Sequence, residues 1–208
     1  MFRPQNDERI ANILVFLSSK IKSLSLTKTL KLLYLIDETS IKESGVPVTW
    51  LEYKAWRLGP VAEDIYTEIK LKNQPCDCDD EFAISKFITI KREKNPDHGN
   101  QEEIFLKSKK KFNDLVFSDY EVTLLERICS KYGNLSSSEL IAILHKEGSL
   151  WHQEVSKRDL IKMFELLNGR SNHVLDLFSL IIKDKNKTLA FQSAFNSLAF
   201  QNQLVDHI

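Results

Sequence analysis

A few residues in this chain have types and spacings that chemistry could use. Cys76-Asp77-Cys78 places two thiols one residue apart. A structural zinc takes four ligands, and no second Cys or Cys/His pair stands nearby, so an exposed acidic loop is expected there and no metal. Cys129 lies on an apolar helical row, which predicts a buried thiol rather than a nucleophile. His145 and His152 flank Gly148 and Trp151. No nucleophile or carboxylate motif accompanies them, so packing or capping is the expected role. Asp37 is the most unusual polar residue. It completes the i, i+3, i+4, i+7 row of Leu30, Leu33, Tyr34 and Asp37, and so points with the core stripe. A carboxylate there must be paired or hydrogen-bonded, because an unpaired buried charge is costly. We expect it to anchor its helix to the Gly59-Pro60 segment. No glycine-rich phosphate loop is present, and no cofactor and no enzyme are expected.

Recognition is a different chemistry, and two stretches suit it. Lys107, Lys109, Lys110 and Lys111 form a basic run flanked by Phe105 and Phe112. A solvated strand end is the simpler reading, and contact with nucleic acid or an acidic partner the other. Trp50, Tyr53, Trp56 and Arg57 cluster in an irregular segment. Such aromatics either close a core or dominate a protein–protein contact. They are the candidate partner-binding residues.

The elements that must position these groups follow from periodicity. Leu30-Lys31-Leu32-Leu33-Tyr34-Leu35-Ile36 is apolar on almost every side, which marks a central helix buried by its neighbours. Ser25 caps it and Gly45 follows it. Residues 8–23 form an amphipathic helix ahead of it, through Ile10, Ile13, Leu14, Leu17 and Ile21. Val48 to Trp56 reads as extended or irregular. Gly59-Pro60 should open a further helix, with Glu63 and Asp64 at its positive end. Phe82–Arg92 and Glu103–Lys107 read as the strands of a hairpin, with a turn signal at Asn95 to Asn100. Ser118 with Glu121 has capping-box spacing before a helix that ends at Tyr132-Gly133, and Ser136 caps the next. From Ser156 the spacing predicts more helix in three stripes, broken near Asn168-Gly169 and Lys183 to Asn186. The fold class is therefore mainly α with a small β-hairpin or sheet: a central helix surrounded by helices, plus a C-terminal helical extension. The expected division is 1–155 and 156–208, the second part packing on the first or on a partner.

Composition limits what this scaffold does. Lys+Arg and Asp+Glu are equal at 29 each, which argues against a generally basic nucleic-acid binder but not against a local patch. No apolar run has the length of a membrane span, and the first residues lack an apolar signal core. With sparse cysteine, a reducing cytoplasm is the expected location.

Two blocks of the sequence resemble a known family. The first is Lys31, Leu32, Leu33, Tyr34 and Asp37, then Gly45, Pro47, Thr49, Tyr53 and Ala55, then Gly59-Pro60-Val61. The second runs from Phe117-Ser118-Asp119-Tyr120-Glu121 through Lys131-Tyr132-Gly133 and Ser136 to Leu140, then His145 and Trp151. Their order resembles the Panacea domain, the SocA-like antitoxin family, over roughly residues 8–155. Tyr34, Asp37, Gly59, Pro60 and Trp151 would be its structural motif. The chain departs from the family at Trp50-Leu51, where such sequences often carry Gly-Asp, and at Trp56-Arg57-Leu58, which replaces a Pro-containing run. The resemblance implies an antitoxin of a type II toxin–antitoxin system, often carried by a prophage or other mobile element. Its partner would be a cognate protein toxin, neutralised by binding. The alternatives it implies are an adaptor that delivers a toxin to an ATP-dependent protease, or a DNA-binding autoregulator, which neutral charge disfavours. Self-association stays open.

Overall fold

The computed structural model describes residues 4–71, 84–95 and 101–205. Its centre is the helix α2 (Leu26–Ser44), in which Leu30 to Asp37 are all buried. Ser25 accepts a hydrogen bond from the Lys28 backbone N–H at one end. At the other, Gly45 takes a left-handed conformation, φ +88°, that a Cβ would penalise. The helix α1 (Pro4–Lys20) lays Ile10, Ile13, Leu14 and Leu17 into the same core.

Beside α1 lies a three-stranded antiparallel sheet in the order β1 (Leu24–Ser25), β5 (Gln101–Ser108), β4 (Ile88–Asn95). The β4–β5 hairpin pairs Ile88 with Ser108 and Asn95 with Gln101. The expected hairpin is there, but its first strand starts later than the sequence suggests. Ile84–Phe87 is a helical turn, α4, instead of strand. Ile84 and Phe87 are both buried, and at a spacing of three only a helical turn points both at the core. The Cys76 and Cys78 pair and most of the predicted turn lie outside the described residues.

The Gly59-Pro60 segment also differs. Instead of opening a helix, β3 (Gly59–Val61) pairs antiparallel with β2 (Lys54–Trp56), leaving Arg57 and Leu58 as the turn. The helix α3 (Glu63–Leu71) begins two residues beyond β3, with Glu63 and Asp64 in its first turn. Pro60 has no N–H for a ladder, so it is suited to an edge strand.

Among the described residues five further helices follow: α5 (Asp119–Tyr132), α6 (Ser137–His145), α7 (Leu150–Lys157), α8 (Leu160–Leu166) and α9 (Lys185–Val205). The Ser118/Glu121 and Ser136/Glu139 pairs both form reciprocal capping boxes. The extension is less helical than its apolar spacing suggests. Residues around Val174 are extended, and Leu177–Leu180 is a short 3-10 turn. Strand β2 supplies the reason, because its outer edge has backbone groups to satisfy. Arg57 N–H donates to Gly169 O (2.7 Å), Ala55 N–H to His173 O (2.8 Å), and Leu175 N–H to Tyr53 O (2.8 Å). Residues 169–175 are thus joined to the β2 edge through main-chain bonds. Among the described residues no helix is long and apolar enough to cross a membrane.

Candidate partner-binding surface

Two buried polar junctions hold the segment between α2 and α3. The first is centred on Asp37, which is fully buried. One carboxylate oxygen accepts from the backbone N–H groups of Val48 and Thr49, both at 2.8 Å. The other accepts from the Tyr53 hydroxyl at 2.8 Å and from the Thr49 hydroxyl. Burial raises the Asp37 carboxyl and these four hydrogen bonds pull it back towards the ionised form, leaving it at about 6. Tyr34 packs edge-on against Tyr53, with centroids 5.2 Å apart, and closes the junction. Asp37 is thus an anchor, but of the Val48–Tyr53 segment and not of Gly59-Pro60.

Lys31 performs that second task. Its ammonium lies inside the core and donates to the carbonyl of Pro60 at 2.8 Å. Burial alone lowers its pKa to about 7. Gly59 crosses directly over it with φ +100°, and a Cβ there would sit 3.3 Å from Lys31 Nζ and 3.7 Å from His145 Nε2. His145 stacks flat on Trp151, centroids 3.7 Å apart and planes within 5°. Desolvation, with Lys31 and His152 nearby, lowers the His145 pKa to about 4, so the ring is neutral. Trp151 Nε1–H in turn donates to Trp56 O at 2.9 Å. Tyr34, Asp37, Gly59, Pro60 and Trp151 are all buried around these two junctions. Cys129 is half-buried with its thiol pushed up to about 11 by burial, which leaves little thiolate at neutral pH.

The four aromatic-segment candidates separate. Tyr53 is 1% exposed and Trp56 9%, so both are core residues in this arrangement. Trp50 is half-buried beneath α9, with its ring 5.1 Å from Phe191 and 6.0 Å from Phe195. It adopts φ +54°, the region where glycine is favoured. This is the position at which the resembling sequences often carry glycine. Arg57 is exposed at the hairpin tip beside Leu58, which is 49% exposed. The basic run at Lys107 to Lys111 is spread out: Lys109 donates to Ser85 O (2.6 Å), and Lys110 lies over the Phe87 ring.

Next to Arg57 is a cleft of about 380 Å³ between α2, α3, the β2–β3 hairpin and the turn at residues 168–170. Lys31, Trp56, Arg57, Tyr66, Lys70 and Arg170 line it. Arg170 lies over Trp56 at 4.8 Å and over Tyr66 at 5.6 Å. Sequence reasoning singled out Arg57 and Trp56 but missed the other four as site residues. Lys31 has a sequence signal, a cation inside a run buried on all sides. Arg170 has none, since only the chain's return to β2 brings it here.

Residues 30–152 match the family described as Antitoxin SocA-like, Panacea domain. The chain belongs to that family. The match takes in both polar junctions, the β2–β3 hairpin and Trp151, and stops before the extension that covers Trp50. Comparison with curated proteins and with solved structures gives no match.

Proposed function

We propose that this SocA-like chain is the antitoxin of a type II toxin–antitoxin system, neutralising a cognate protein toxin by direct binding in the cytoplasm. Membership of the antitoxin family carries this reading. The arrangement of side chains supports it. Asp37 accepts from two backbone N–H groups and two hydroxyls, Lys31 holds the carbonyl of Pro60, and His145 is held neutral against Trp151. These are the features of a rigid frame, and a rigid frame lowers the entropic cost of binding a partner. The residue best placed for contact is Arg57, which the frame presents at a hairpin tip together with Leu58. Trp50 joins the contact surface where α9 leaves its edge accessible.

Co-expression with the product of the adjacent gene tests the reading. If that product arrests growth alone and this chain restores growth while co-purifying with it, the antitoxin role holds. A folded Arg57→Glu variant should then lose rescue or complex. Rescue accompanied by disappearance of the partner would instead indicate delivery to an ATP-dependent protease. A harmless neighbour that does not bind would overturn both.

A further inference from the structure

The cleft beside Arg57 is lined by cationic side chains. The chain is neutral overall, yet Lys31, Arg57, Lys70 and Arg170 line one cavity and, among the described residues, no carboxylate does. Among the described residues, none of the four is ion-paired. Lys31 makes one hydrogen bond, to Pro60 O, although an ammonium carries three donors. Lys70 donates to the Tyr66 hydroxyl at 2.6 Å. Arg170 places its guanidinium carbon over the Trp56 and Tyr66 rings, and a guanidinium carries five N–H donors in a planar fork. Arg57 is braced against Gly169, where a Cβ would lie 3.3 Å from its Cβ and Nε. Trp56, whose Nε1 is buried with no hydrogen-bond partner among the described residues, forms part of the wall.

We propose that this cleft is a binding site for a small phosphorylated ligand, its phosphate held by Arg57 and Arg170 with Lys70 and Lys31 behind them. Uncompensated cations converging on a concavity raise the local concentration of anions. Guanidinium groups match phosphate oxygens in pairs. A phosphate carries about two negative charges near neutral pH and so offsets this cluster better than one carboxylate. The volume of about 380 Å³ exceeds what a single side-chain carboxylate fills and lies in the usual range for small-ligand pockets, roughly 300–1,000 Å³.

The test uses the full chain without any protein partner, so it is independent of the antitoxin reading. Inorganic pyrophosphate is titrated at constant ionic strength, by calorimetry and by tryptophan fluorescence, since Trp56 forms part of the wall. Saturable one-to-one binding is expected. Arg57→Gln and Arg170→Gln should each weaken it by roughly tenfold with an unchanged circular dichroism spectrum. Because Arg170 also covers Trp56, the Arg57 variant decides the matter if Arg170→Gln unfolds. Absence of a saturable signal, or equal affinity in the Arg57 variant, would overturn the proposal. So would an acidic peptide that binds this cleft while pyrophosphate does not, which would assign the cations to a partner's carboxylates.

Discussion

Asp37 and Lys31 are buried titratable residues six positions apart on one helix; Asp37 fixes the irregular Val48–Tyr53 segment and Lys31 the strand β3. Their replacement should have different consequences. Asp37→Ala leaves the Val48 and Thr49 N–H groups inside the core with no acceptor, and should cost about 3 kcal/mol or more, read as a lowered midpoint in urea. A variant that melts with the parent would end the anchor role. Lys31 should show itself through pH. Its folded pKa of about 7 lies below the unfolded value of about 10.4. Between these limits the unfolded state binds more protons, so the Lys31 contribution to stability rises with pH across that window. Below pH 7 the folded chain carries a protonated Lys31 and the full cost of burying it. Lys31→Met removes this dependence and leaves Pro60 O unpaired at every pH. The parent should therefore gain stability relative to Lys31→Met as pH rises from 7 to 10. A difference in melting temperature that stays constant across that range would contradict the shift. Gly59→Ala puts a methyl group 3.3 Å from Lys31 Nζ in a backbone region that alanine disfavours. A loss of about 1–3 kcal/mol is expected, and a melting temperature equal to the parent's would mean the hairpin relaxes around it.

At the level of elements, α9 and the Val48–Tyr53 segment depend on each other. A tryptophan at φ +54° is strained by about 1–3 kcal/mol, and its ring contacts with Phe191 and Phe195 offset that cost. Trp50→Gly relieves the strain and loses the contacts together, so its net effect should be small. Phe191→Ala should destabilise the parent more than it destabilises the Trp50→Gly chain, with a coupling of about 0.5–1.5 kcal/mol. A double-mutant cycle in urea that gives no coupling would mean α9 is held by other contacts, such as Lys187 Nζ to Lys42 O at 2.6 Å. This pairing explains how a bulky side chain occupies a position suited to glycine. It also ties α9, which lies outside the matched residues 30–152, to the segment that follows α2.

For the whole molecule, what the sequence made legible was local and what it hid was not. The two capping boxes and the central helix are written within a few residues, so Ser118, Ser136 and the run from Leu30 to Ile36 announced themselves. Asp37 was legible as a buried polar residue because its row places it there, but its partners were not, since they depend on how residues 46–53 return. Likewise Val174 to Ile182 is apolar with mixed spacing and reads as helix, until the unpaired edge of β2 claims part of it as extended chain. Arg170 reaches the cleft by the same return. These observations lead to a prediction about the division at residue 155. A chain ending at Lys157 would lose the acceptors of Ala55 N–H and Arg57 N–H, and the Ser171 hydroxyl bond to Ala55 O. It would also uncover Trp50 and expose the β2 edge to other chains. At about 1 kcal/mol per lost hydrogen bond, with apolar burial added, the shortened chain should melt roughly 10 °C or more below the parent or aggregate. Scanning calorimetry of the two purified chains decides it. Equal melting temperatures would make residues 1–155 a self-sufficient domain and the rest an appendage. A large fall would make the return of residues 168–175 to β2 part of the fold, and the cleft it completes a feature that the matched region cannot form alone.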